Sequence, residues 1–243
     1  MQSDSKDDDS QSFRARQVTS KMQLVLRGDE KHLTDNLFAI NWFDTSPAWV
    51  YHLYNSLALG RLKKAGGKAL FKGRILRRLS GDESLARQHL LIVNYPSADH
   101  FLNLVSDKLF QVISLLRMLS VRRFSFVMHE RIDSATNTVE PSEPSTFHAV
   151  LHFHSNTPES VVRQVETAAT AASARVVFSG HEAVHVHSES GDTKNAMDYV
   201  TPNTIVFAAA SENDLDSCFQ SNEMQDALKQ TDKHFAGLLK RSV

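Results

Sequence analysis

Two short stretches of the chain place histidines at one spacing. His148, His152 and His154 occupy the first and His181, His185 and His187 the second, each as H-x-x-x-H-x-H. Together they hold six of the chain's 12 histidines. Imidazole is the commonest neutral metal ligand and the side chain that titrates nearest neutrality, so such a wall suits metal binding or proton transfer. On a β-strand alternate residues share a face, and each trio would look one way. Strand geometry also limits the cluster: residues two apart lie about 6.7 Å from each other and His148 about 20 Å from His154, so one ion cannot gather all six. The metal-ligand set this allows is His152, His154, His185 and His187, with His181 or Glu189, the latter at the same parity, nearby. Such ligands suit iron, copper, zinc or nickel, and the two-histidine, one-carboxylate group of His185, His187 and Glu189 suits non-haem iron. Without a metal, His152 and His185 are the candidate acid/base residues.

Other chemistries are absent from the sequence. Cys218 is the single cysteine, which excludes an intrachain disulfide and a thiolate metal cluster. There is no glycine-rich phosphate loop, nucleophile elbow or H-E-x-x-H helix. A net charge of −1 gives no electrostatic case for nucleic acid. No run is long enough to span a bilayer, and no membrane partner is expected. The first residues, MQSDSKDDDSQS, are acidic and polar, the reverse of a signal peptide. Residues 1–20 read as a disordered acidic tail and the protein as cytoplasmic.

The elements that must position the histidines occur twice. Residues 21–131 and 147–243 each follow strand, helix, strand, strand, helix, strand, with a Ser/Thr/Pro/Glu-rich linker at 132–146. Asp44-Thr45-Ser46-Pro47 matches Ser155-Asn156-Thr157-Pro158, a helix cap followed by proline at the first helical position. Phe101, Leu104, Val105, Leu109, Val112, Ile113 and Leu116 form one apolar stripe, which predicts a single helix over 98–118. Strands are expected at 37–43, 69–79, 89–95 and 123–130, then at 147–154, 175–188, 204–210 and 236–242. Residues 21–27 suggest an extra strand or arm. The order β-α-β-β-α-β is the ferredoxin-like unit. The expected fold class is therefore α+β, with tandem duplicated units forming a pseudo-dimeric α/β barrel.

The first copy resembles a family of uncharacterised proteins in the dimeric α/β-barrel superfamily. The resemblance rests on Asn41, Tyr51 and Tyr54, Gly66-Gly67, and Leu90 to Leu102 with its Tyr95-Pro96-Ser97 stretch, followed by Ser106-Asp107. Haem-degrading and quinol-type monooxygenases, muconolactone isomerases, chlorite dismutases, dye-decolourising peroxidases and ligand-sensing domains belong to that superfamily. The resemblance implies a small-molecule site between two sheets and no particular chemistry.

On this frame the second copy's histidines face the lumen from strands running the same way, with Ile205 to Ala210 between them. Aligning the copies puts Leu37, Asn41 and Phe43 opposite His148, His152 and His154, and Arg74 and Arg78 opposite His181 and His185. One wall would then be imidazole and the other guanidinium and amide, suited to a carboxylate, phosphate or haem propionate. Asn41, Arg74 and Arg78 are the candidate ligand contacts for a small and anionic molecule. The expected function is a small-molecule enzyme with its site in the lumen. It would be oxidative and monooxygenase-like with a transition metal or haem, or cofactor-free and isomerase-like. The alternative is a non-catalytic binding or assembly module, favoured if side chains plug the lumen. Either an internal pseudo-dimer or a homodimer satisfies the pattern.

Overall fold

The computed structural model describes residues 36–129, 147–153, 157–180, 183–189 and 203–242, and for 183–189 the backbone alone. The tail at 1–20, residues 21–33 and the linker at 132–146 lie outside these. The first half runs β1 (Leu37–Thr45), α1 (Ala48–Lys64), β2 (Lys68–Gly81), a 3-10 turn (Glu83–Leu85), β3 (His89–Tyr95), α2 (Ala98–Ser106), α3 (Lys108–Ser120) and β4 (Val121–His129). The second runs β5 (Phe147–Phe153), α4 (Glu159–Ala171), β6 (Arg175–Gly180), β7 (Ala183–Glu189), β8 (Asn203–Ala209), α5 (Glu212–Gln220), α6 (Asn222–Leu228) and β9 (His234–Arg241).

All nine described strands join one sheet in the order β6-β8-β5-β9-β2-β3-β1-β4-β7, and every pair is antiparallel. Each half keeps the ferredoxin-like order of second, third, first and fourth strand. The halves meet where β2 changes partner: Lys68–Arg74 pairs with β3 and Gly73–Gly81 with β9. The other seam is made by the second half's counterpart. Residues 175–180 pair with β8, and residues 183–189 pair with β4 of the first half. β6 and β7 are the two ends of the sheet order, yet only two residues separate them. Three peptide steps reach at most about 11 Å, so the sheet must curl until its ends meet. A Cβ on Gly180 would lie 3.0 Å from Cδ2 of His129 on β4, which places the two edges side by side.

Strand alternation divides the side chains between two faces. On β1, Ile40 and Trp42 point into the barrel, where they pack with Phe71, Leu90, Ile92, Val127, Phe178 and Phe235. Leu37, Ala39 and Phe43 point outward beneath α1, α2 and α3. The second half repeats this, with Leu151, Phe153, Ile205 and Phe207 under α4, α5 and α6. Cys218 packs in that outer core, as a small apolar residue would.

Three local expectations change. The predicted helix over 98–118 is two helices, α2 and α3, because the Asp107 carboxylate accepts a hydrogen bond from the Phe110 N–H and caps a new start. Ser221 starts α6 the same way, through Met224 N–H. Pro47 and Pro158 stand at the cap positions, one residue before the helices begin. The alignment of the halves also shifts by one residue. Tyr95 and Ala209 each stand two residues before the serine that precedes a helix, Ser97 and Ser211, and they pair with Leu37 and Phe147. Phe38 and Trp42, not Leu37 and Asn41, therefore correspond to His148 and His152. One residue of slip moves every side chain to the opposite face.

Candidate functional site

His148 and His152 do face the lumen from β5, with Val150 between them. His152 is wholly buried, and its Nδ1 lies 2.8 Å from the Thr204 hydroxyl on β8. Its ring lies 4.3 Å from the Trp42 ring, and its Nε2 has no hydrogen-bond partner among the described residues. Burial first, then the neighbouring Arg87 and His129, push its pKa down to about 3. His148 sits nearer the other end, edge-on to Phe71 at 5.3 Å, and neither of its ring nitrogens has a partner among the described residues. Burial, with Arg241 and Arg175 nearby, takes it to about 4. Both imidazoles are neutral at pH 7, and such weak bases are poor proton acceptors.

The lumen is filled. Trp42, Phe71 and Phe235 are at most 1% exposed, and the Trp42 indole donates to the Leu85 carbonyl at 3.0 Å. Leu85, Ala86 and Arg87 from the loop after β2 close one end, where Arg87 donates to the Ser84, Ala86 and Arg123 carbonyls. A haem cannot enter without displacing this core, so these residues do not fit one. Among the described residues no three His, Cys, Asp or Glu side chains are grouped to hold a metal ion.

The second histidine stretch is placed differently from expectation. His154 and His181 lie outside the described residues. His185, His187 and Glu189 lie on β7, in register with Met128, Phe126 and Phe124 of β4. The expected approach of His185 and His187 to His152 across β8 does not form, because residues 175–180 pair with β8 while residues 183–189 pair with β4. The strand outruns its neighbour and crosses to the other half.

Asn41, Arg74 and Arg78 do not wall the lumen. Arg78 is half-exposed and meets Glu83 at 3.4 Å. Asn41 and Arg74 lie on the outer face of the first half's sheet, where the register builds two adjacent rows. One row is Asn41, Leu91 and Lys72 across β1, β3 and β2; the next is Phe43, His89 and Arg74. Tyr51 descends from α1 over both. Its ring stacks on His89 at 6.1 Å and meets Phe43 at a tilt at 5.3 Å, and the Lys72 ammonium lies 5.2 Å from its centre. Tyr54, one helical turn further, lies 6.0 Å from Tyr51. Asn41 donates to the Ala39 and Leu91 carbonyls, and His89 Nε2 lies 3.1 Å from the Thr45 hydroxyl.

This recess is polar, half-buried and short of negative charge. Burial lowers the Lys72 pKa. Burial, Lys72 and Arg74 together push His89 down to about 4, against a small opposing pull from Asp44. Asp44 meets Arg123 instead. Neither Lys72 nor Arg74 has an acidic partner among the described residues. The sequence pointed to Asn41 and Arg74 and put Lys72 on the same face as Arg74, but missed His89 and the role of Tyr51. The signal available was two cations in alternation on one strand, beside a tyrosine-bearing helix.

No protein-family model and no curated protein matches the chain. Solved structures do. An anthrone oxidase-like protein superposes with a TM-score of 0.51 at 10% identity, covering 86% of this chain and 92% of its own. A mutant chlorite dismutase from Candidatus Nitrospira defluvii gives 0.47 at 8% identity, covering 90% of this chain and 95% of its own. A protein of unknown function from Rhodopseudomonas palustris gives 0.43 at 17% identity and covers 49% of this chain and 94% of its own. At these identities the likeness is one of fold: the chain is a ferredoxin-like α/β barrel.

Proposed function

We propose that the chain is a small-molecule enzyme whose site is the outer recess of the first half, under α1, and that it takes an anionic or enolisable carbonyl compound. The carrying observation is the pair of cations, Lys72 half-buried and Arg74 beside it, with no carboxylate among the described residues to meet them. Perturbed charge in a recess is a mark of function. An oxyanion seated between Lys72 and Arg74 would restore the charge balance and receive charge-assisted hydrogen bonds. Asn41, whose amide already donates to the Ala39 and Leu91 carbonyls, lies in the adjacent row, and Tyr51 and Phe43 offer flat apolar walls for a ring. The chemistry such a recess performs is stabilisation of negative charge as it develops on a substrate oxygen. Neutral His89 accepts a hydrogen bond and orients the substrate. An oxidative reaction of the monooxygenase kind is the sharper form of this reading. No step is assigned to a metal or haem. His152, filled in on all sides, supports the barrel.

The test is binding of a phenolic carboxylate such as 4-hydroxybenzoate, followed by NMR on the metal-free full chain. Lys72→Met and Arg74→Met are each expected to weaken it roughly 10-fold or more, since a charged hydrogen bond contributes about 1.5–3 kcal/mol. Binding unchanged in both variants and lost in His152→Leu would return the site to the lumen. A second reading, a non-catalytic binding or assembly module, draws support from the plugged lumen. It predicts ligand binding without turnover of any enolisable ligand.

A further inference from the structure

The helix layers of the two halves share a fold but not a surface. In the second half, no large apolar residue of α4, α5 or α6 is exposed. Those helices carry Glu159, Glu166, Glu212, Asp214, Asp216, Glu223 and Asp226. In the first half, Trp49, Leu53 and Leu57 are exposed along α1, and Val112, Leu115 and Leu119 along α3. Trp49 is 68% exposed and Val112 and Leu119 are 61% exposed, too much for core residues. Their spacings, four and four on α1 and three and four on α3, give each helix an apolar stripe. The barrel does not require this, since its other half does without it.

Charge says what covers the stripes. Neither α1 nor α3 contains an acidic residue. The two helices pack antiparallel: Arg61 on α1 meets Asp107 before α3 at 3.4 Å, and the Ser46 N–H before α1 donates to Ser120 at the end of α3. Lys63, Lys64 and Lys108 therefore crowd one end, with Asp99 and Asp107 the acids nearby, and Arg122 is exposed at the other. With cations at both ends, a second copy related by a two-fold axis through the stripes would set like charge on like. A second copy presenting its acidic second half would match the charge but offer no apolar surface. An acidic protein would need carboxylates at both ends of a helix about 25 Å long.

We propose that α1 and α3 of the first half rest on an anionic bilayer surface. Apolar side chains would enter the acyl boundary, with Trp49 at the interface and the lysines reaching the headgroups. The absence of a spanning segment, which led to the expectation of no membrane partner, does not bear on a helix pair that lies on the surface. This inference is independent of the recess and its ligand.

The test is flotation of the full chain with phosphatidylcholine vesicles, with and without phosphatidylserine, at physiological salt. Binding is expected to the mixed vesicles and not to phosphatidylcholine alone. A basic residue near the surface contributes about 1 kcal/mol, so Lys63→Glu with Lys64→Glu is expected to weaken binding at least about 10-fold. Trp49→Ser with Leu53→Ser and Leu115→Ser should abolish it with an unchanged circular dichroism spectrum, because the residues removed are exposed. The wild-type tryptophan emission should shift to the blue on binding and that of Trp49→Phe should not, Trp42 being buried already. No binding to anionic vesicles overturns the proposal. So does binding that all these variants retain, and so does self-association lost in the apolar variant without vesicle binding.

Discussion

His148 and His152 differ from the exposed histidines in what burial does to their titration, and this reaches the stability of the whole chain. Their pKa values in the folded state, about 4 and about 3, lie below the ordinary value of 6.5. As pH falls below 6.5 the unfolded chain takes up protons that the folded one refuses, so stability is full above that pH and declines below it. Two such groups give a slope of up to about 2.7 kcal/mol per pH unit. Denaturant midpoints should therefore fall steeply between pH 6.5 and pH 4, and the fall should be shallower in His148→Leu and His152→Leu. Equal midpoints at pH 7 and pH 5 would show that the rings are not buried neutral. At this scale the sequence was partly readable. Alternation placed His148 and His152 correctly on the inner face, because Ala149, Leu151 and Phe153 leave no other choice for β5. It misplaced Asn41 and Arg74, because β1 and β2 carry apolar residues on both faces and nothing in their pattern marks which looks inward.

Elements were easier to read than their breaks. The strands of the first half lie close to where alternation put them, and the cations and glycines at the end of α1 mark its true stop, with Gly66 at φ 77. The division of 98–118 into α2 and α3 was hidden because the apolar stripe runs on across it, while the break depends on one carboxylate folding back to one N–H. β2 hides its irregularities in the same way: it bulges between Ala69 and Phe71, again between Ile75 and Arg77, and again between Arg78 and Ser80. Its last residue tests how tightly it is held. Gly81 has φ 84, and a Cβ there would stand 2.1 Å from the His234 carbonyl oxygen on β9. Gly81→Ala should destabilise the chain by about 1–3 kcal/mol and lower Tm by several degrees. The cost falls on the β2–β9 seam, so amide exchange should quicken there before it does in β1 or β3. A Tm equal to that of the parent would mean that the seam yields at no cost.

Across the whole molecule, the ferredoxin-like order of each half was legible from periodicity and caps, since both are local. The point at which a strand changes partner is not local. Residues 175–188 read as one strand of the second half, and no residue between them announces that the later part pairs with β4, more than fifty positions earlier in the chain. That crossing sets the backbone of His185 and His187 beside β4 and not beside β8. It also makes each half supply an edge that the other completes, once at β2 with β9 and once at β4 with β7. The two seams then hold the halves together through strand pairing. A chain cut by a protease site placed within 132–146 should elute as one species, its fragments parting only in denaturant. The halves expressed as separate polypeptides should find each other through complementation, and neither should give a dispersed NMR spectrum alone. Fragments that separate in native buffer would show that the seams do not hold. Two inert pieces that regain a barrel only on meeting are the parts of a split reporter.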